Sequence, residues 1–132
     1  MTYASLMKFT EDLSTKTLNT ITGYGKDYFA IREHKVTTSH IVAPKHLENW
    51  PVHDISELTL ELISPLLSLS PEILIFGTGE KHQFPDKEIL KLLIRKRICY
   101  EFMDTMAACR TYNILVGEGR LVVAGLMLNL NA

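Results

Sequence analysis

The chain has 132 residues, 46% of them hydrophobic, and 14 basic against 15 acidic side chains give a formal net charge of −1. That length fits one domain with a packed core and excludes wholesale disorder. The balanced charge, with no basic stripe, excludes a general nucleic-acid binder and gives no reason for attraction to an anionic membrane.

The N-terminal stretch MTYASLMKFTEDLS lacks the basic start and apolar core of a secretory signal. It also carries acidic residues and no arginine, unlike a mitochondrial transit peptide, so a cytoplasmic protein is expected. Thr17 to Tyr24 and Asp27 to Arg32 are rich in β-formers and are separated by Gly25 and Lys26. Gly23 and Gly25 supply turn freedom, which predicts an N-terminal β-hairpin. His34 to Ala43 suits a third strand, and Pro44 ends it by removing a backbone donor. A loop with Trp50 and Pro51 follows. Thr59 then reads as the N-cap of a helix carrying Leu60, Leu62, Ile63, Leu66 and Leu67. Pro65 should kink or shorten that helix, and the alternation of Leu58, Leu60 and Leu62 also suits a strand.

Glu72 to Phe76 is a short apolar strand that ends at Gly77-Thr78-Gly79. Asp86 can cap a helix running to about Lys96, with Ile89, Leu90, Leu93 and Ile94 on one side and Glu88, Lys91 and Arg95 on the other. Ile98 to Phe102 is the next strand. Thr105 can cap a third helix, with Gly117 as its stop. Leu121 to Leu128 is apolar on both faces and is expected at the centre of a sheet. Eight residues are too few to span a bilayer, which takes about 20 in a helix. Strand–helix–strand–helix–strand with short connections is an α/β arrangement.

Two places could carry chemistry. Gly77, Thr78 and Gly79 follow a strand as a phosphate-binding turn does, but His82 stands where a dinucleotide fingerprint needs its third glycine. The alternative is a tight turn at the carboxyl end of a strand. The second place is the run Asp104 to Arg120, DTMAACRTYNILVGEGR. On a helical wheel of about 100° per residue, Ala107, Ala108, Thr111, Tyr112, Ile114 and Leu115 share one side, and Met106, Cys109, Arg110 and Asn113 the other. The polar set suggests an anion- or partner-recognition patch near a helix N-terminus, formed by Asp104, Thr105, Cys109, Arg110 and Asn113. The alternative pairs Arg110 with Glu101, Asp104 or Glu118 and has Asn113 close the helix end. Cys109 lies four residues past the cap, where the dipole is weak, and reads as a small, partly buried thiol rather than a nucleophile. Cys99 and Cys109 form no CxxC pair, and the histidines at 34, 40, 46 and 53 match no metal motif, so neither metal nor cofactor is expected.

PEILIFGTGE, followed about 25 residues later by DTMAACRTYNILVGEGRLVVAGLML, resembles the MTH-type domain family of unknown function. The resemblance also takes in Trp50 and the turn Glu118-Gly119-Arg120. It implies a three-layer α/β single domain over residues 1–132, with a central mixed sheet of about five strands and no established enzymatic activity. Relatives include mitochondrial complex I assembly factor 3 and an adipogenesis-associated human protein, while this chain looks like a bacterial member. The first function this suggests is a non-enzymatic protein-interaction or assembly module. The second is a small-molecule binder or enzyme for an anionic ligand at the glycine turn and the Arg110 helix face. Either a monomer or a homodimer suits the composition.

Overall fold

The computed structural model describes residues 18–129. Residues Met1 to Thr17, which include the first residue of the expected hairpin, lie outside that range, as do the last three. The hairpin itself is present. Strand β1 (Ile21–Tyr24) pairs antiparallel with β2 (Phe29–Ile31), with a bulge between Ile21 and Gly23.

The expected single strand from His34 to Ala43 is two strands in two sheets. β3 (His34–Val36) pairs with β2, while β4 (His40–Ala43) crosses to the large sheet and pairs antiparallel with β8 (Val122–Leu126). The switch occurs at residues 37–39, where Ser39 is buried and its hydroxyl accepts the Leu128 N–H at 2.8 Å. A run of β-formers carries no mark of which partner each half takes. The β2–β3 turn is also unannounced, because Arg32 and Glu33 hold positive φ (48° and 74°) without a glycine. β5 (His46–Asn49) pairs with β4 across Pro44-Lys45 and is a further addition to the expected elements.

The large sheet has the order β5-β4-β8-β6-β7, with β6 at Ile73–Gly77 and β7 at Cys99–Met103. β8 is central, antiparallel to β4 and parallel to β6, and β6 is parallel to β7. All five β8 residues are buried, as their continuous apolarity requires. Alternate residues feed opposite layers: Leu74, Phe76 and Val123 join one core, and Ile73, Ile75, Val122 and Ala124 the other.

The first core is covered by helices α1 (Leu60–Leu67) and α2 (Lys87–Arg95), through Ile63, Leu66, Ile89 and Leu93. The Thr59 hydroxyl caps α1 by accepting the Leu62 N–H at 3.2 Å. Pro65 sits inside α1, which is only two turns long. On α2, Ile94 is 63% exposed rather than packed with Ile89 and Leu93, and Asp86 occupies the N-cap position without a side-chain cap bond. Trp50 lies across Gly125, where an added Cβ would meet its ring at 2.7 Å, and its indole N–H donates to the Leu62 carbonyl.

The second core is covered by α3 (Thr105–Gly117) together with the β1-β2-β3 sheet, through Ala108, Cys109, Tyr112, Val116, Ile21, Phe29 and Ile31. The molecule is therefore a three-layer α/β domain around a five-stranded mixed sheet, with a small antiparallel sheet added to one layer. Among the described residues, no helix is long and apolar enough to cross a membrane.

Candidate functional site

The carboxyl ends of the parallel strands β6, β7 and β8 meet at the Gly77-Thr78-Gly79 turn and the start of α3. Gly77 ends β6, and a Cβ there would lie 2.9 Å from Thr105 Oγ1 and 3.0 Å from its Cα, so glycine lets α3 approach the sheet. Gly79 has φ +95°, in the region that favours glycine.

Each amide of the turn has an internal acceptor. The Thr78 N–H donates to the Met103 carbonyl at 2.8 Å. The Gly79 N–H donates to Thr105 Oγ1 at 2.8 Å, and the Glu80 N–H donates to Asn129 Oδ1 at 3.0 Å. The buried Thr78 hydroxyl donates to the Lys81 carbonyl at 2.5 Å and accepts the Gln83 N–H at 3.1 Å. A phosphate cradle needs such amides pointing outward; here they tie the turn to its neighbours. Thr105 is the first residue of α3 rather than its cap. Asp104 caps the helix, accepting the Ala107 N–H at 2.9 Å. The Thr105 hydroxyl instead donates to the Met127 carbonyl at 2.6 Å. At the other end Gly117 is the last helical residue, and the reversal is made by Gly119 at φ +77°.

The wheel grouping of α3 needs correction as well. Cys109, placed on the polar side, is fully buried, while Ile114, placed on the apolar side, is 61% exposed. The reason is that α3 is covered from two directions, by the large sheet and by β1. Burial pushes the Cys109 thiol up to about 12, so it is protonated and inert at neutral pH. Tyr112 is likewise buried and its pKa raised by desolvation.

Three polar side chains of the A-C-R-T-Y-N segment reach back to the β1 segment. Asn113 treats β1 as a strand neighbour would: Oδ1 accepts the Ile21 N–H at 2.9 Å, and Nδ2 donates to the Ile21 carbonyl at 2.6 Å. Tyr112 donates its hydroxyl to the Asn19 carbonyl at 2.7 Å. Arg110 Nη1 donates to Tyr24 Oη at 3.3 Å, with the guanidinium 5.7 Å from the Tyr24 ring centroid. That hydrogen bond is also the leading cause of a raised Arg110 pKa, on a group already cationic. Among the described residues Arg110 makes none of the ion pairs expected with Glu101, Asp104 or Glu118.

Arg110 projects from the outer face of α3 between Met106 and Ile114, one turn away on either side and 39% and 61% exposed. Lys26 in the β1–β2 turn pairs at 3.2 Å with Glu80, the residue after the glycine turn. Tyr24, Asn19 and Asn129 were not marked by the sequence. They act through contacts 86, 93 and 49 residues distant, which no local pattern announces. Among the described residues, no three His, Cys, Asp or Glu side chains gather as metal ligands would.

Comparisons with known proteins agree with this architecture. The family described as proteins of unknown function DUF498/DUF598 matches residues 21–127. NADH dehydrogenase (ubiquinone) 1 alpha subcomplex assembly factor 3 of Xenopus tropicalis is 38% identical over 106 residues, 79% of this chain and 58% of that protein. A 13 kDa major membrane protein of Francisella tularensis subsp. holarctica is 37% identical over 71 residues, 54% of this chain and 58% of that protein. The chain thus spans less than two thirds of the length of either relative. A crystal structure of a Bordetella parapertussis protein superposes with a TM-score of 0.80 at 36% identity, covering 85% of this chain and 97% of that one. A solution structure of a Mth938-like domain from Bordetella pertussis gives 0.72 at 30% identity, covering 86% and 87%. The chain belongs to the DUF498/DUF598 family of proteins of unknown function and has the Mth938-like fold.

Proposed function

We propose that this protein is a non-enzymatic protein-interaction module serving in the assembly of a larger complex, and that the outer face of α3 is its partner surface. The observation that carries this reading is Arg110. Its guanidinium is held against Tyr24, flanked by exposed Met106 and Ile114, and has no carboxylate partner among the described residues. Arginine, tyrosine and methionine are enriched at protein interfaces, and a pre-positioned guanidinium loses less freedom when it binds. The likeness to a protein named as an assembly factor for NADH dehydrogenase supports the same reading and suggests a respiratory complex as the target. The small-anion alternative draws no support from the glycine turn, because the amides of residues 78–80 already have internal acceptors.

A photo-crosslinking residue at Met106, expressed in the native host, tests the surface. The expected result is a discrete crosslinked partner whose yield falls at least tenfold in Arg110→Ala, with thermal stability preserved. The same partner at the same yield from both proteins would remove the α3 face from the reading.

A further inference from the structure

A second surface lies at the opposite end of the sheet, on the β4–β5 turn and the entry to β8. One lobe, of about 410 Å³, is lined by Pro44, Lys45, Leu69, Leu121 and Val123 among others. A smaller lobe of about 190 Å³ adjoins it, shares Pro44 and Leu121, and reaches Val116 and Arg120. The larger lobe alone falls within the roughly 300–1,000 Å³ of small-ligand clefts.

The walls are fixed without a ligand. Asn19 closes the Pro44-Lys45 turn: its backbone N–H donates to the Pro44 carbonyl at 2.8 Å, and its side-chain amide donates to the Ala43 and His46 carbonyls, each at 3.0 Å. On the other side the Leu121 N–H donates to the Glu72 carboxylate at 2.7 Å, and the Leu121 carbonyl accepts the Glu72 N–H at 2.9 Å. Leu121 is nevertheless 42% exposed. An apolar side chain on a backbone pinned this firmly gives a preformed apolar surface rather than a loose loop.

Charge selects the occupant. Lys45 is exposed and makes no ion pair among the described residues, while Arg120 reaches Glu72 only at 3.8 Å and by its Nε. The larger lobe has Lys45 at its edge, while Glu72 offsets Arg120 at the smaller one, so the groove suits an elongated apolar chain whose anionic end sits at Lys45. We infer that this groove binds a free single-chain anionic amphiphile, with the alkyl chain along Pro44, Leu69 and Leu121 and the head group at Lys45. The site is separate from the α3 face and stands or falls without it.

The test is titration of the full chain with octanoate, decanoate and dodecanoate below their critical micelle concentrations, followed by amide NMR. The result expected is saturable binding with shifts confined to residues around Pro44, Leu69 and Leu121. A fully buried methylene tightens binding about fourfold; in a groove open on one side the gain per methylene is smaller, so dodecanoate binds at least about threefold more tightly than decanoate. Lys45→Glu, at an exposed position that folding does not need, weakens dodecanoate about tenfold. Leu121→Asp abolishes binding and Ile94→Asp, at an exposed apolar site on α2 away from the groove, does not. Equal affinity for decyltrimethylammonium and decanoate would overturn the assignment. So would adsorption to phosphatidylglycerol vesicles without saturable binding of monomeric dodecanoate. Groove shifts that follow protein concentration alone would mark a second copy as the occupant and also overturn it.

Discussion

Asn113→Ala removes the two hydrogen bonds by which its amide holds the Ile21 backbone at the outer edge of β1. In the small sheet β1 is an edge strand, paired on one side only, so the Asn113 amide supplies the partner missing at Ile21. Ile21 is 4% exposed, and water reaches the released N–H and carbonyl poorly. Two hydrogen bonds at about 1 kcal/mol net each, with some further cost for the stranded backbone groups, give a loss of about 2–3 kcal/mol. For a domain of this size that lowers Tm by about 10 °C. Thermal unfolding and amide hydrogen exchange measure the two halves of the argument. The Tm should fall, and the Ile21 amide should lose protection selectively while the β8 amides stay protected relative to the new global stability. Asn113→Asp keeps the acceptor for the Ile21 N–H but sets a carboxylate against the Ile21 carbonyl, so it should not rescue. A loss under about 0.5 kcal/mol with Ile21 still protected would show that hydrophobic contact, not the amide, fixes β1.

Two further outcomes follow from the same geometry. Thr105→Val, nearly unchanged in shape, leaves the Gly79 N–H and the Met127 carbonyl unpaired in a buried position, and chemical denaturation should show a loss of about 2–4 kcal/mol that Thr105→Ser largely restores. For the thiols, Ellman's reagent at pH 8 should modify Cys99 alone in the folded protein and both cysteines in denaturant. Because the folded Cys109 thiol is raised from 9.0 to about 12, the unfolded chain releases that proton first as pH rises. Stability is then whole below pH 9 and is lost as pH climbs toward 12, a decline that Cys109→Ala should lessen.

The parts legible in the sequence are those whose burial is decided locally. β6 and β8 lie in the middle of the sheet with both faces covered, so they read as unbroken apolar runs, and the Thr59 hydroxyl caps its own next turn. Other features are decided by distant partners. HLEN is polar and mostly exposed, and it is a strand only because β4 pairs with it across a turn closed by Asn19. β3 and β4 look continuous and part company because one finds β2 and the other β8. The wheel failed on α3 for a related reason. It assumes one buried face, whereas the large sheet and β1 together cover most of the helix and leave Met106, Arg110 and Ile114 as its exposed stripe.

The dense polar run of α3 thus divides by what each side chain touches. Tyr112 and Asn113 bond to backbone atoms of the β1 segment at 2.6–2.9 Å, and replacing either one disturbs the seam between helix and small sheet. Tyr112 acts further still, because the Asn19 it holds also closes the turn that walls the apolar groove. Arg110 differs. It is exposed, its bond to Tyr24 is long, and Tyr24 meets it through a side chain rather than the backbone. An exposed contact of this kind contributes little to folding, yet the guanidinium has no carboxylate partner among the described residues. Within one short segment, then, the residues that hold the fold and the residue that can recognise a partner are separable by substitution. Loss of partner in Arg110→Ala with the fold intact reports recognition, and the same loss in Asn113→Ala does not.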